Sequence, residues 1–227
     1  MSAPSGGPGR DAPARLADVL RAFSGHASPR LLAASVAAAL GAKLVLGAWS
    51  PWDAAAAAAL LAWWPIHEWL IHVFVLHHRP RRIAGRTLDF ETARLHRAHH
   101  RDPWRPELVF IPIHVFAAVP FTFAAAWLAP AAARPAALTA LLVYYALSLH
   151  YEWVHFLAHT RYRPRTRAYR RLWRNHRLHH FKNERYWYGV TRLRGDRLLG
   201  TAPDAEATPT SPTCRSLGFD TGPGAAF

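Results

Sequence analysis

Residues 54–78 read AAAAAALLAWWPIHEWLIHVFVLHH. From Ala54 to Leu76 only Glu68 carries a formal charge, and the Ala–Leu–Trp half has no polar face. A helix on a soluble core shows polar residues on its outer side. One that is apolar all round and roughly 20 residues long has the length and chemistry of a bilayer crossing. The run therefore reads as a membrane span, and its far end carries His67, His72, His77 and His78.

Three more apolar runs share this character, about Leu31–Trp49, Leu108–Ala129 and Ala136–Ala158. The expected fold is all-α and integral to a membrane, with about four transmembrane helices and a cytoplasmic helical cap. Residues 1–30 are rich in Pro, Gly and Ser and read as a flexible start. An amphipathic patch around Leu16–Phe23 suits an interfacial helix. The first apolar run begins only after four arginines and is long enough to span, so it reads as a retained helix and not as a cleaved signal. Residues 31–203 form the expected catalytic domain, and 204–227 an irregular tail that drapes over the body.

Charge orients the spans. The formal net charge is +14, with 26 Arg against 2 Lys. The connector 79–106 holds eight arginines and 161–197 holds thirteen Lys and Arg, whereas 50–53 holds none and 130–135 only Arg134. By the positive-inside rule both termini and the middle connector face the cytoplasm, in what reads as a bacterial inner membrane. Trp49, Trp52, Trp63, Trp64 and Trp127 suit an interfacial belt. Alternation of basic blocks with apolar runs favours anionic lipid over nucleic acid as the partner of this charge. A lone Cys214 excludes an intrachain disulfide and any Cys-based zinc site.

Most of the fifteen histidines fall into four groups. Besides HEWLIHVFVLHH there are LHRAHH (His96, His99, His100), LHYEWVHFLAH (His150, His155, His159) and HRLHH (His176, His179, His180). On a helix, residues three or four apart share a face, so His96/His99/His100 and His176/His179/His180 each aim three imidazoles in one direction, and His155 and His159 form a further pair four apart. The topology puts all four groups at one level, just beneath the membrane. Roughly ten neutral imidazoles are too many for one ion and suit two. Two adjacent metals can cleave O₂ and oxidise a lipid C–H bond delivered from the bilayer.

The segments EWLIHVFVLH, HRAHH, YEWVHFLAH and HRLHHFKNERYWYGVT…GDRLLGT resemble the fatty acid hydroxylase or sterol desaturase superfamily of membrane diiron oxygenases, over about residues 55–203. Spacing alone allows either His67/His72 or His72/His77 as the first pair. The resemblance selects His72 and His77, because the family's motif follows an acidic-aromatic start. It implies ten metal ligands: His72, His77, His96, His99, His100, His155, His159, His176, His179 and His180. His67, His78 and His150 become possible extras, and His26 and His114 stand apart. A pair five apart on an α-helix diverges by roughly 140°, so His72 and His77 are expected to serve different metals or to grip the pair from two sides.

The resemblance further implies two iron ions, with zinc as a possible occupant, O₂, and Glu152 orienting a ligand. Asp89, Glu91, Asp102 and Asp196 read as ion-pair partners of arginines. Lys182, Asn183, Tyr188 and Thr191 are expected to pack the cap against a headgroup. With no fused haem domain, Cys cluster or nucleotide loop, electrons are expected from a separate ferredoxin or cytochrome. The implied reaction is hydroxylation of a fatty acyl or sterol-like lipid. A desaturase or carotenoid hydroxylase is the neighbouring reading, and a histidine-rich metal-binding or pH-sensing membrane protein the non-enzyme one.

Overall fold

The computed structural model describes residues 13–219. Residues 1–12 and 220–227, which hold parts of the expected flexible start and tail, lie outside them. The described residues are mostly helical, and three helical stretches among them are long and apolar enough to cross a membrane: Ala27–Leu46, Pro51–Leu76 and Pro106–Leu128.

A short helix α1 (Leu16–Gly25) buries Val19 and exposes Leu16 and Leu20. α2 (Ala27–Leu46) ends at Gly47, whose φ of 65° closes the helix in the left-handed region that glycine enters without penalty. α3 (Pro51–Leu70) opens with a capping box, Ser50 exchanging hydrogen bonds with Asp53, and with proline at its first turn. The later helices are α4 (Glu91–Arg101), α5 (Val119–Leu128), α6 (Arg134–Ala158), α7 (Arg167–Phe181) and the single-turn α8 (Arg194–Leu198). α6 is the hub, packing against α2, α3, α5 and α7.

Three departures from the expected architecture matter. The connector after α3 is not wholly helical: β1 (Arg81–Ile83) and β2 (Arg86–Leu88) pair antiparallel, turning through Ala84 and Gly85 at positive φ. The third apolar run is broken. It passes through 3₁₀ turns at Pro106–Leu108 and Ile113–Ala118 before α5, since Pro106, Pro112 and Pro120 cannot donate to a helical ladder. The freed Ile111 N–H donates instead to Glu152 at 2.8 Å.

The second run continues from α3 as a π-helix over Ile71–Leu76. Pro65 lies one turn and a half earlier, inside α3. This change of pitch redirects the chain just where the first histidine motif begins.

At the opposite end of α3, Lys43 is fully buried and bonds Asp53, which also accepts from Thr139. Lys43 donates as well to the carbonyl of Pro135 at 3.1 Å. One ionic cluster thus staples α2, α3 and α6 inside apolar surroundings.

Candidate metal centre

The ten histidines converge on one place from four elements. The π-helix supplies His72 with His77 just after it, α4 supplies His96, His99 and His100, the end of α6 supplies His155 and His159, and α7 supplies His176, His179 and His180. They form two groups of five: His72, His77, His96, His100 and His179 in one, and His99, His155, His159, His176 and His180 in the other. Within each group one nitrogen per ring lies within 4.8 Å of all the others. The groups adjoin where the rings of His100 and His180 stack, 4.1 Å between centroids.

The partition corrects the expectation that each triplet aims one way, because on both helices the residues four apart stay together and the one between them turns aside. On α4, His96 and His100 are four apart and share the first group, while His99 turns to the second. α7 does the reverse: His176 and His180 enter the second group and His179 the first.

His72 and His77 correct the sequence expectation that they diverge. They fall in the same group, their rings 5.0 Å apart. The reason is the π-helix, whose repeat is i to i+5; the His77 N–H donates to the His72 carbonyl at 3.0 Å. That wider coil brings residues five apart to nearly the same face, so both rings point one way.

A carbonyl only accepts, so ring nitrogens bonded to carbonyls must carry the proton. His72 Nδ1 donates to Tyr188 O at 2.7 Å, His100 Nδ1 to Cys214 O at 2.9 Å and His179 Nδ1 to Tyr186 O at 2.8 Å. Their Nε2 atoms are left with lone pairs, and those of His72 and His100 are buried without a partner. Three Nε2 atoms face another Nε2: His77 to His179 at 3.2 Å, His99 to His155 at 3.1 Å and His159 to His176 at 2.9 Å. Two nitrogens at right angles on a metal, each about 2.1 Å from it, would stand about 3.0 Å apart, and opposite ones about 4.2 Å. Nitrogen pairs at such spacing, with one nitrogen of each ring within 4.8 Å of the rest of its group, fit a bound ion in each group.

Burial keeps the rings neutral, which ligation requires. It holds His77, His96, His99, His159, His176, His179 and His180 well below the usual imidazole range, with neighbouring histidines adding to the effect. His100 is lowered to about 3.

A cavity of about 330 Å³ reaches His96 of the first group and His155 of the second. Its walls are largely apolar, including Ile71, Val75, Leu108 and Val109. A sequence model described as fatty acid hydroxylase matches residues 57–201, a range that contains all ten histidines.

The chain belongs to the fatty acid hydroxylase family. Over 146 residues it is 29% identical to the dihydroceramide fatty acyl 2-hydroxylase of Arabidopsis thaliana, covering 63% of this chain and 59% of that protein. It therefore spans about three fifths of the length of that relative. No solved structure matches it.

The remaining residues singled out in this fatty acid hydroxylase family member take other places. His67 lies against Trp64 and Tyr144, 5.2 and 5.7 Å between ring centroids, in the cavity wall. His78 packs on Phe90 at 4.5 Å, His150 meets the Tyr169 hydroxyl at 3.2 Å and His26 packs on Phe110 at 4.2 Å. His114 pairs with Glu91 at 3.6 Å, and Asp89 pairs with Arg97. None of these histidines enters either group. No ion pair joins Asp102 to an arginine among the described residues; its carbonyl accepts from Arg105 N at 3.3 Å.

Two acidic residues and the cap segment differ from expectation. Glu152 does not reach a histidine; it accepts from Ser28 and Ile111 N, tying α2 and the broken third run to α6. Asp196 pairs with no arginine among the described residues. Fully buried, it accepts from Tyr188 N and Gly189 N, both at 2.8 Å, and from Thr201 Oγ1 at 2.8 Å. Thr191 and Asn183 are buried and so do not face a headgroup. Thr191 donates to Glu68, Asn183 donates to Pro209 O at 3.3 Å, and the Lys182 carbonyl accepts from Ser211 N at 2.7 Å. The Tyr188 ring rests against His77 and His179, 5.5 and 5.2 Å between centroids.

Sequence reasoning missed Glu68, which accepts from Trp64 Nε1 at 2.7 Å and from the backbone N–H groups of Thr191 and Arg192. Its signal was the repeated Glu–Trp just before a histidine motif, present at both Glu68 and Glu152. The carbonyls of Tyr186, Tyr188 and Cys214 leave no signal in side-chain identity.

Proposed function

We propose that this protein is a membrane-bound dimetal oxygenase that uses O₂ to place a hydroxyl group on a C–H bond of a lipid acyl chain. The observation that carries this reading is the pair of adjoining five-histidine groups with one apolar cavity touching both. The ten histidines would hold the metals, two irons in the native state, and these would supply O₂ reduction and abstraction of hydrogen from an unactivated carbon.

The chain's own part is positioning and exclusion of water. Its buried imidazoles stay neutral, and the apolar cavity receives a section of lipid and keeps it desolvated beside the site. At about 330 Å³ the cavity suits a segment of chain and not a whole lipid. The acyl 2-hydroxylase activity named for the plant relative supports a fatty acyl substrate.

On this reading α6 is a fourth span. Its polar groups lower its hydropathy but are satisfied internally: Thr139 on Asp53, Ser148 on the Tyr144 carbonyl, His150 on Tyr169 and Glu152 on Ser28. The arginine-rich connectors favour a cytoplasmic face for the histidines and both termini. Electrons would come from a separate acidic carrier docking on Arg170, Arg171 and Arg174, all exposed on α7. Neutralising these three should slow turnover while membrane association persists; unchanged turnover would remove this docking site.

Lipid profiling by mass spectrometry of a host with and without the active gene tests the reaction. Acyl chains heavier by one oxygen atom are expected, and they should vanish when His99 is replaced. Loss of two hydrogens would identify a desaturase, and an unchanged profile in every lipid class would overturn the oxygenase reading.

A further inference from the structure

The two histidine groups differ in how their rings are held. In the first, three rings donate Nδ1–H to backbone carbonyls, so tautomer and orientation are set before any ion arrives. In the second, Nδ1 of His99, His159 and His176 and both nitrogens of His180 are buried without a hydrogen-bond partner, and His155 alone has a backbone carbonyl, that of Val109, beside its ring. A ligating imidazole anchored through its other nitrogen is oriented and made more basic, and loss of such an anchor typically weakens metal binding by about 10–100-fold.

Two of the three carbonyls belong to one strap, Tyr186–Arg192, which is pinned along its length. Trp187 N donates to Thr201 O at 2.9 Å, and Trp187 itself sits at φ 58°. Asp196 takes the N–H groups of Tyr188 and Gly189, and Asn175 Nδ2 donates to Gly189 O at 2.9 Å. Glu68, reaching across from α3, takes the N–H groups of Thr191 and Arg192 at 3.1 and 3.3 Å. Each buried carboxyl therefore takes two strap N–H groups and holds the strap so that the Tyr186 and Tyr188 carbonyls meet His179 and His72. At Gly195 a Cβ would collide with the carbonyl of Pro65, so α8 and the strap it carries lie directly against α3.

We propose that the two metal positions are unequal. The position enclosed by His72, His77, His96, His100 and His179 is preorganised by this strap and takes the first ion, and the position enclosed by His99, His155, His159, His176 and His180 takes the second more weakly. Glu68 and Asp196 are the positioning residues of the first. This rests on the dimetal reading above.

Titration of the full chain, stripped of metal in detergent, with zinc against a chromophoric chelator reads the two positions separately. Wild-type protein should bind two equivalents in resolved steps, the first at least about 10-fold tighter. His179→Ala should abolish the tight step and His159→Ala the weak one. Glu68→Gln and Asp196→Asn should each weaken the tight step by about 10-fold or more and leave the weak step in place, which a general loss of folding would not do. Two equal equivalents in wild-type protein, or parallel weakening of both steps in the Glu68 and Asp196 variants, would overturn the inequality while leaving the dimetal reading intact. Failure to bind zinc at all would overturn both.

Discussion

At the scale of single residues, a histidine matters here according to where its nitrogen points. His179 and His99 face one group each, whereas His78, only one residue from His77, packs on Phe90. Replacing His99 or His179 by Ala should abolish hydroxylated product and cut bound metal by about half, measured by mass spectrometry and elemental analysis on the same preparations. His78→Ala should retain most product and full metal content, because its ring lies outside both groups. Product loss in His78→Ala equal to that in His179→Ala would refute this division. Eight of the ten histidines were legible from helical spacing, three or four apart, whereas the choice of His72 with His77 came from the family resemblance. The choice of nitrogen was not legible, since it depends on which backbone carbonyl approaches each ring.

At the scale of elements, two local features position the site. The first is the π-helix Ile71–Leu76, which places His72 and His77 on one face. Deleting Phe74, which is exposed, should return this stretch to α-helical pitch and swing one of the two rings away. The expected result is loss of one metal equivalent with helix content unchanged by circular dichroism, whereas Phe74→Ala should be mild. The second is the staple of Lys43, Asp53 and Thr139. Lys43→Met leaves a buried carboxylate without its cation and should cost about 3–5 kcal/mol, read as a lowered unfolding midpoint in detergent. Lys43→Met combined with Asp53→Leu should recover part of that loss. Sequence periodicity placed α3 and α6 well. It read the third run as continuous, because hydropathy is blind to the prolines and to the Ile111–Glu152 bond that breaks the helix there.

At the scale of the whole molecule, the buried imidazoles make the fold depend on pH. Their values are lowered below the ordinary 6.5, that of His100 to about 3, so below about pH 6.5 the unfolded chain binds protons that the folded chain refuses. Stability should therefore fall as pH drops from about 6.5. A single imidazole kept neutral one pH unit below its ordinary value costs about 1.4 kcal/mol. Metal-stripped protein should show a falling thermal midpoint between pH 7 and 5.5. Metal-loaded protein should hold its midpoint to lower pH, because a bound ion competes with the protons. Identical profiles with and without metal would show that these rings do not ligate.

By itself, the sequence determined that this chain is built from membrane-length helices and that eight of its histidines recur at helical spacing beside arginine-rich connectors. Those are properties of composition and period, readable one segment at a time. Only the tertiary structure decided which five histidines stand together, that the pair from the second run shares one group, and that Glu68, Asp196 and three backbone carbonyls stand behind the rings. These depend on helical pitch and on contacts between residues more than a hundred positions apart, and no local pattern of side chains encodes where a carbonyl will point.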